Sequence, residues 1–351
     1  MVSFIATISG GTPDQQSSVR RAIQAAGEAW SRHLAGPGEI EIAATIKPLA
    51  DNVIASARAA LTVLQADGLY QEGPAYEIET GTDPNGARPD LEINFDPDRF
   101  FSRDGTTITI HEIGHGLAFN GFFAGPYRTV YESLIAGSPE APLFTGTAAQ
   151  AIYGRPVPMA VDSAAHYAVN GMMNPVYQGP AQLSALDLAI ARDSGLMVKE
   201  RFGTIGDDTM PGTADADIVY GGYGNDVMEG NQAADTLYGW AGEDTLFGGR
   251  DADLLIGGDG NDVLYAGRGD DTLVGGGGSD LFVFGDDQGV KHIADWQFDI
   301  GDPGKSDRLQ FSSAPSVSVD YASYSVTYVA AGTTVILDHT ITILPEWVAI
   351  A

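Results

Sequence analysis

Residues 212–283 read GTADADIVY, GGYGNDVME, GNQAADTLY, GWAGEDTLF, GGRDADLLI, GGDGNDVLY, AGRGDDTLV and GGGGSDLFV, which is one nonapeptide repeated eight times with variation. Position 8 is apolar in every repeat, and position 1 is glycine in all but the seventh, where it is Ala266. A short strand places that central apolar side chain inward, and glycine permits a tight turn between strands. The repeat therefore predicts a parallel β-roll in which two nonapeptides form each coil.

The sixth position of the repeat predicts a metal site. It is aspartate in all eight repeats: Asp217, Asp226, Asp235, Asp244, Asp253, Asp262, Asp271 and Asp280. Aspartates two repeats apart would stack along one edge of the roll at the strand spacing of about 4.8 Å. Such carboxylates repel each other unless a cation lies between them, and their hard oxygens suit Ca²⁺. We therefore expect several structural calcium ions, bound more weakly where Asp215, Ala233 and Asp251 replace the glycine of position 4.

The nonapeptide resembles the calcium-binding repeat G-G-x-G-x-D-x-U-x of RTX proteins. Residues 279–312 resemble the β-rich cap that closes the roll in serralysin-type secreted proteases, and Asp280, Asp295 and Asp307 occupy the matching positions. The resemblance implies export by the type I secretion machinery, which reads an uncleaved C-terminal signal. It thus implies an extracellular protein, although residues 1–16 lack the features of an N-terminal signal peptide.

The composition excludes several classes of protein. The chain has 351 residues, no cysteine, and 47 acidic against 18 basic residues, for a formal net charge of −29. The lack of cysteine excludes disulfide scaffolds and cysteine-based metal sites, and the excess of acid disfavours binding to nucleic acid or anionic membranes. No stretch approaches 18 uninterrupted apolar residues, so we expect no membrane span. We expect a monomer with no nucleic-acid partner.

A second motif, HEIGH, occupies residues 111–115. On a helix, residues i and i+4 share one face, so His111 and His115 can bind the same zinc ion. Glu112 lies beside them and can accept a proton from a zinc-bound water. The motif therefore predicts one catalytic Zn²⁺ with Glu112 as the general base.

A catalytic zinc needs three protein ligands and an open position, and two residues compete for the third place. His166 lies in SAAHYAVNGMMNP (163–175), whereas Glu132 lies in VYESLIAG (130–137). We favour His166 and keep Glu132 as the alternative, since it follows His115 at a distance that suits a ligand on a following helix. If neither residue binds zinc, the domain is a pseudo-enzyme.

The histidine helix and the later His–Met segment resemble the metzincin zinc proteases, in particular the leishmanolysin-like and matrixin-like members. The usual continuation H-E-x-x-H-x-x-G-x-x-H is not kept, because Ala118 and Gly121 stand at its glycine and third histidine positions. In the leishmanolysin variant an insertion displaces the third histidine. The resemblance therefore implies His166 as the third zinc ligand and Met173 as the Met-turn residue beneath the zinc.

The same resemblance leaves the oxyanion donor open. Serralysin-type enzymes carry a tyrosine two residues after the Met-turn methionine, but that position is Pro175 here. Tyr177 or, alternatively, Tyr167 could replace it. We expect the insertion at 121–162 to form a wall of the substrate pocket.

The predicted fold has three parts. They are an α+β metzincin-like catalytic domain (1–204), an all-β parallel β-roll of RTX type (205–285) and a β-rich C-terminal cap with the secretion signal (286–351). Within the catalytic domain we predict strands over 2–8, 38–46 and 90–96, and helices over 15–35, 53–64 and 184–196. The polar alternation Glu92, Asn94, Asp96 suggests that the 90–96 strand is an exposed edge that binds an extended peptide. An ordinary sheet edge, or an acidic calcium-binding loop at 96–98, would give the same pattern.

These features predict a secreted, calcium-stabilised zinc metalloendopeptidase that acts on protein or peptide substrates. Zinc would activate water and polarise the scissile carbonyl, and Glu112 would carry the proton. One alternative is a calcium-dependent extracellular binding or surface protein with a degenerate protease domain. Another is a zinc hydrolase of a non-peptide bond, because the motif specifies activated water and not the substrate.

Overall fold

Two units make up the chain in a computed structural model, Met1–Lys199 and Glu200–Ala351. The structure describes residues 2–50, 53–60, 62–66, 69–86, 88–102, 104–118, 130–138, 141–160, 163–167, 183–285, 288–297, 306–312, 315–320, 325–330, 332–337 and 348–350. Within these ranges no helix combines the length and the apolar character needed to cross a bilayer.

The first unit contains six helices and ten strands among its described residues. The helices are α1 (Pro13–Ser31), α2 (Gly73–Thr80), α3 (Gly105–Leu117), α4 (Val130–Ser133), α5 (Thr147–Tyr153) and α6 (Ala185–Asp193), with a 3-10 turn at Phe100–Ser102. The strands are β1 (Ser3–Gly10), β2 (Glu39–Ile46), β3 (Ala55–Ala59), β4 (Thr62–Leu64), β5 (Tyr70–Glu72), β6 (Leu91–Phe95), β7 (Ile135–Ser138), β8 (Ala141–Phe144), β9 (Val157–Ala160) and β10 (Ser163–Tyr167).

A mixed four-stranded sheet in the order β1-β2-β6-β3 forms the centre of the first unit. β1, β2 and β6 run parallel, and β3 is antiparallel to β6 at one border. The predicted strands over 2–8, 38–46 and 90–96 are confirmed with small shifts of their ends. The helices predicted over 15–35 and 184–196 are confirmed as α1 and α6, and capping boxes built on Thr12 and Ser184 begin them.

The helix predicted over 53–64 is wrong, because this segment forms β3 and β4. All five residues of β3 pair with β6, with Ala57 opposite Ile93, and the Arg58 guanidinium pairs with Glu92 across the two strands. Alanine and arginine favour a helix in isolation. Pairing with a neighbouring strand overrides that preference, and pairing of this kind cannot be read from the segment alone.

Helix α3, which carries the HEIGH motif, is fixed by contacts with both α1 and β6. Asp104 caps its first turn by accepting a hydrogen bond from the Thr106 N–H at 3.0 Å. The fully buried Trp30 of α1 donates its indole Nε1–H to the Ile110 carbonyl at 3.0 Å. A Cβ atom at Gly116 would lie 2.4 Å from Leu91 Cδ2. Gly116 therefore weakens the helix intrinsically but allows it to pack closely on β6.

The second unit consists of strands. They are β11 (Arg201–Phe202), β12 (Thr209–Pro211), β13 (Ile218–Tyr223), β14 (Val227–Asn231), β15 (Thr236–Ala241), β16 (Thr245–Arg250), β17 (Leu254–Asp259), β18 (Val263–Arg268), β19 (Asp271–Gly277), β20 (Leu281–Phe284), β21 (Gly289–Ile293), β22 (Arg308–Phe311), β23 (Ser316–Asp320), β24 (Ser325–Ala330), β25 (Thr333–Leu337) and β26 (Val348–Ile350).

Successive strands from β11 to β22 alternate between two sheets, so two nonapeptides form one coil as the repeat predicts. The sheets run β11-β13-β15-β17-β19-β21-β25-β24-β23 and β12-β14-β16-β18-β20-β22-β26. Along the roll the pairing is parallel with an offset of 18 residues, as between Val219, Leu237 and Leu255. The last strands of the first sheet, β23 to β25, pair antiparallel.

The apolar eighth position of the repeat forms the core between the two sheets. All eight side chains are completely buried: Val219, Met228, Leu237, Leu246, Leu255, Leu264, Leu273 and Phe282. Burying an apolar side chain of this size stabilises a fold by about 1.5–3 kcal/mol. The repeat period thus gives one continuous core along the roll.

We expect the contact between Trp30 and α3 to stabilise the first unit measurably. Trp30→Phe, which keeps most of the ring and removes the donor to Ile110, should cost about 1 kcal/mol, and Trp30→Ala about 3–5 kcal/mol because it leaves a cavity. The free energy of unfolding is measured by denaturant titration in saturating calcium. Ile5→Ala is the control, since Ile5 is 49% exposed. A Trp30→Ala chain as stable as this control would contradict the packing.

Candidate functional site

Most repeat aspartates of the roll are tied to the aspartate one coil further along the chain. The backbone N–H of Asp226 donates to Oδ1 of Asp244 at 2.7 Å, and the N–H of Asp244 donates to Oδ1 of Asp262 at 2.8 Å. Other links of the same kind join Asp208 to Asp226, Asp217 to Asp235, Asp235 to Asp253, Asp253 to Asp271 and Asp262 to Asp280, at 2.8–2.9 Å. The aspartates therefore stack 18 residues apart, as predicted.

The second carboxylate oxygen of most of these aspartates has no hydrogen-bond partner among the described residues. The six are Oδ2 of Asp226, Asp235, Asp244, Asp253, Asp262 and Asp280, in side chains that are 0–3% exposed. A buried acceptor without a partner costs free energy, and a charged one costs more. Rows of such hard oxygens fit calcium ions.

The glycine at position 1 of the repeat leaves room for these carboxylates. A Cβ atom at Gly257 would lie 2.2 Å from Oδ2 of Asp262, and one at Gly221 would lie 2.3 Å from Oδ2 of Asp226. The side chain at position 6 therefore folds back over position 1 of its own turn. This is why glycine recurs there.

Burial strongly disfavours the ionised form of the roll carboxyls when no cation is bound. It raises the pKa of Asp226, Asp253 and Asp262 to about 7 and that of Asp244 to about 6, and at Asp226 and Asp262 neighbouring carboxylates raise it further. Backbone N–H donors oppose the shift. The carboxyls therefore need either a proton or a bound cation at neutral pH.

The two edges of the roll differ in the quality of their turns. We call edge A the turns that end at Asp217, Asp235, Asp253 and Asp271, and edge B those that end at Asp208, Asp226, Asp244, Asp262 and Asp280. Every turn of edge B has glycine at position 4, and in the last three of them that glycine has φ between 140° and 142°, which only glycine adopts readily.

The weaker loops noted in the sequence all fall on edge A. Ala233 and Asp251 take φ of 70° and 74° at position 4, which is the left-handed region that other residues can enter at some cost. Position 5 also differs between the two edges. On edge B the residues at this position are joined to the coil before by hydrogen bonds, such as that from the Glu243 N–H to Asn225 Oδ1 at 2.8 Å. On edge A this position is alanine in three of four turns. We therefore expect edge B to bind calcium more tightly than edge A.

The last turn of edge A has a cation of its own. Lys291 Nζ donates to Asp271 Oδ2 at 2.7 Å and to the Gly269 carbonyl at 2.6 Å, and both charged side chains are 0% exposed. Burial raises the pKa of Asp271, and the ammonium group opposes that shift. This is also the repeat in which position 1 is Ala266, which is buried. In the first turn of edge A, Asp217 Oδ2 accepts a hydrogen bond from the Thr213 N–H at 2.7 Å.

The structure adds one turn that the sequence analysis missed. Residues 203–211, GTIGDDTMP, place Asp208 at position 6 and the buried Met210 at position 8. The missed signal was the period itself, extended one repeat upstream of Gly212.

At the C-terminal end of the roll, Asp307 Oδ1 accepts a hydrogen bond from the Asp280 N–H at 3.0 Å, so the predicted cap residue continues edge B. Asp295 accepts from the N–H groups of Gly275 and Gly276 at 2.9 and 2.7 Å.

The two histidines of the HEIGH motif converge as the helical spacing predicts. The Nε2 atoms of His111 and His115 lie 3.1 Å apart, and the ring planes are nearly perpendicular at 85°. Two nitrogen ligands of a tetrahedral zinc at about 2.0–2.1 Å would lie about 3.3 Å from each other. The pair therefore fits a shared zinc ion.

Glu112 lies between these histidines in sequence and is 7% exposed. Burial raises its pKa to about 8, and a hydrogen bond from the backbone N–H of Ala57 opposes the shift. The carboxyl group thus lies against β3, at the border of the sheet. A proton-accepting role is compatible with a carboxyl group whose pKa is near neutrality.

The remaining predicted residues of the zinc site are described only in part. His166 and Tyr167 lie on the main chain of β10, where the pairing with β9 is irregular between Ser163 and Tyr167, and their side chains are outside the described residues. Glu132 lies on the main chain of α4, with its side chain likewise outside. Met173 and Tyr177 lie outside the described residues, as do residues 121–129, 139–140 and 161–162 of the insertion. Their roles stay predictions.

The predicted peptide-binding edge at 90–96 is wrong, because β6 lies between β2 and β3. Its residues are engaged: Glu92 with Arg58, and Asn94 Nδ2 with Ser56 Oγ at 3.4 Å. The free border on this side of the sheet, among the described strands, is β3. The sequence analysis does not predict this border strand, because it predicts a helix over 53–64.

The alternative of a calcium loop at 96–98 is not supported. Asp96 is 3% exposed, and its carboxylate accepts from the N–H groups of Leu49, Asp98 and Arg99 at 3.0 Å each. The bond from Leu49 contributes most to a lowered pKa of Asp96, and Arg99 lowers it further. Asp96 therefore stabilises the turn after β6.

Comparison with known proteins identifies the repeats. Four segments match the family described as RTX calcium-binding nonapeptide repeat, residues 202–236, 220–255, 247–282 and 256–289, which together span about a quarter of the chain. The chain therefore carries RTX calcium-binding repeats, and the calcium prediction is confirmed at that level. The curated proteins contain no match to this sequence.

Two solved structures resemble part of the chain. One is the solution structure of a subunit of the Azotobacter vinelandii mannuronan C5-epimerase, with 26% identity, a TM-score of 0.20, and coverage of 42% of this chain and 80% of that one. The other is an extracellular lipase from Serratia marcescens, with 17% identity, a TM-score of 0.20, and coverage of 43% of this chain and 39% of the lipase.

We expect the calcium-free roll to become more stable as the pH falls. The folded carboxyls have pKa values of about 6–7, above those of the unfolded chain, so the folded state binds more protons and its stability is lost as the pH rises through about 7. Circular dichroism of calcium-free protein should show more roll structure at about pH 5 than at about pH 8. An equal signal at both values would contradict the raised pKa values.

We expect the buried pair Lys291–Asp271 to stabilise edge A even in saturating calcium. Lys291→Met leaves a buried carboxylate and a carbonyl without their partner, so the free energy of unfolding of the second unit should fall by about 3–5 kcal/mol. Arg268→Met is the matched control, because Arg268 is an exposed cation of the same turn. Equal stability of the two variants would show that the lysine is not needed there.

Proposed function

We propose that the protein is a secreted, calcium-stabilised zinc metalloendopeptidase with a metzincin-like first unit. The observation that carries the proposal is the approach of the two imidazole nitrogens of α3 to 3.1 Å, beside a buried glutamate. Two zinc-binding histidines and a general-base glutamate occur in this order on one helix in many zinc hydrolases. His166 would be the third ligand, and Met173 the Met-turn residue.

The residues of the first unit can be assigned distinct tasks. A zinc ion held by His111, His115 and His166 would lower the pKa of a water molecule and polarise the carbonyl group to be attacked. The Glu112 carboxylate would accept a proton from water and pass it to the leaving amine. Its burial and its bond from Ala57 fix the carboxyl group in place for both transfers. Tyr177 is our candidate for the oxyanion donor.

The border strand β3 supports a peptide as the substrate. Its free side is the place where an extended chain could add as a further strand. The N–H of Ala57 in this strand already donates to Glu112, so a peptide bound along Ala55–Ala59 would run beside the proton-accepting residue. Backbone hydrogen bonds of this kind recognise a peptide of almost any sequence.

The roll supports secretion and a dependence on external calcium. RTX repeats are typical of secreted proteins and fit substrates of type I secretion. Extracellular calcium sites commonly have affinities near millimolar, so the roll would fold after export. Calcium that binds only the folded state adds stability by mass action.

Variants of the first unit test the proposal. In saturating calcium, Glu112→Gln should keep bound zinc and lower the rate of casein cleavage by about 10²–10⁴-fold, because it removes only the proton acceptor. His166→Ala should lose zinc and activity together. Glu132→Gln, the matched change at the competing ligand, should keep both. Zinc is counted by metal analysis of the purified full chain.

Two results would overturn parts of this account. A His166→Ala chain that retains zinc and activity would move the third ligand elsewhere, with Glu132 as the next candidate. Zinc bound by the wild type without cleavage of any peptide would favour the extracellular binding protein or a hydrolase of another bond.

A further inference from the structure

A group of oxygen ligands in the first unit belongs neither to the roll nor to the HEIGH motif. Glu77 lies on α2, Asp83 and Asn85 lie in the loop after it, and Asp90 directly precedes β6. One carboxylate oxygen each of Glu77, Asp83 and Asp90 lies within 4.8 Å of the others. Gly81 ends α2 with φ of 69° and turns the chain into the loop. We call these four residues the α2–β6 cluster.

Backbone N–H groups hold each acid of the α2–β6 cluster by one oxygen. The bonds run from Glu39 N to Glu77 Oε1 (3.1 Å), from Glu41 N to Asp90 Oδ2 (2.7 Å), and from Asn85 N and Gly86 N to Asp83 Oδ1 (2.8 Å each). The side chains are therefore fixed before any ligand binds. Each keeps a second oxygen for another partner.

Three of the remaining oxygens are buried without a hydrogen-bond partner in the described part of the chain. They are Glu77 Oε2, Asp90 Oδ1 and Asn85 Oδ1, and the side chains of Glu77 and Asp90 are only 6% and 3% exposed. Asn85 Nδ2 donates to the carbonyls of Arg88 and Pro89 at 2.9 and 3.0 Å. These two bonds assign the amide nitrogen, so the buried oxygen is the free acceptor.

The charged neighbours of the α2–β6 cluster do not neutralise it. Burial raises the pKa of both Glu77 and Asp90. The charges of Asp90 and Asp83 raise the pKa of Glu77 further, and those of Asp83 and Glu41 raise the pKa of Asp90 further. Backbone and Asn85 hydrogen bonds oppose the shift only in part. A proton shared by Glu77 and Asp90, or a bound cation, must therefore balance the charge.

We propose that Glu77, Asp83 and Asp90 bind one calcium ion. Three carboxylate oxygens form an all-oxygen donor set, which a hard cation prefers. The three carboxylate oxygens lie within 4.8 Å of one another, close enough to contact one ion. Ca²⁺ accepts flexible coordination by carboxylates, whereas Mg²⁺ demands near-ideal octahedral geometry, so we assign the site to calcium.

The ion would join α2, its loop and the start of β6. Leu91, the residue after Asp90, packs against Gly116 of the HEIGH helix. The site would thus make the strand beneath α3 depend on calcium, independently of the roll and of whether the protein is a protease.

Hydrogen–deuterium exchange of the full chain, with and without added calcium, tests the site by region. Calcium alone should slow exchange in peptides covering 81–92. In Asp83→Asn, which changes the exposed ligand, the calcium concentration for half-maximal protection should rise roughly tenfold. Glu77→Gln should lose the protection and bind one ion fewer per chain in equilibrium dialysis. Glu41→Gln is the matched control, because it removes an adjacent exposed charge and no ligand.

The outcomes decide between a calcium ion and a shared proton. Exchange at 81–92 that ignores calcium, and that speeds up with pH by more than the intrinsic exchange rate of an unstructured peptide, would overturn the proposal in favour of the proton. An Asp83→Asn chain that responds to calcium like Glu41→Gln would also overturn it. If Glu77→Gln does not fold, Asp83→Asn alone decides, since its carboxylate is exposed.

Discussion

The hydrogen bond from the backbone N–H of a repeat aspartate to the carboxylate one coil later is the constraint on which the second unit depends. It uses Oδ1 and leaves Oδ2 buried without a partner, as at Asp244 and Asp262. The same bond that sets the coil spacing therefore creates the need for a cation. A roll of this sequence is stable where calcium is abundant, and its buried carboxyls otherwise need protons at neutral pH.

This constraint also explains where the repeat departs from its own pattern. Glycine stands at position 1 because the carboxylate folds back over it, and Ala266 is the exception in the turn where Lys291 engages Asp271. The turns without glycine at position 4 lie together on edge A, whereas edge B keeps it throughout. Because bound calcium offsets the charge of the repeat aspartates, the formal net charge of −29 overstates the charge of the calcium-loaded protein.

The roll was predictable from sequence because each repeat contributes the same local signal, so register, core and aspartate stacking followed from one period. The first unit was predictable only where a signal is local, as in the helical spacing of His111 and His115. The segment 53–64 was misjudged because its strand exists through pairing with β6. The α2–β6 cluster was missed for a similar reason, since the fold brings Glu77 and Asp90 together from separate elements.

The central claim is that buried aspartates make the roll a calcium-dependent fold, and one titration tests it most directly. Far-ultraviolet circular dichroism of the full chain at about pH 8, where the roll carboxyls are ionised, is followed as calcium is added after complete chelation. The account predicts that the β-roll signal is absent in excess chelator and appears cooperatively with calcium. A roll signal that persists unchanged in excess chelator would contradict it.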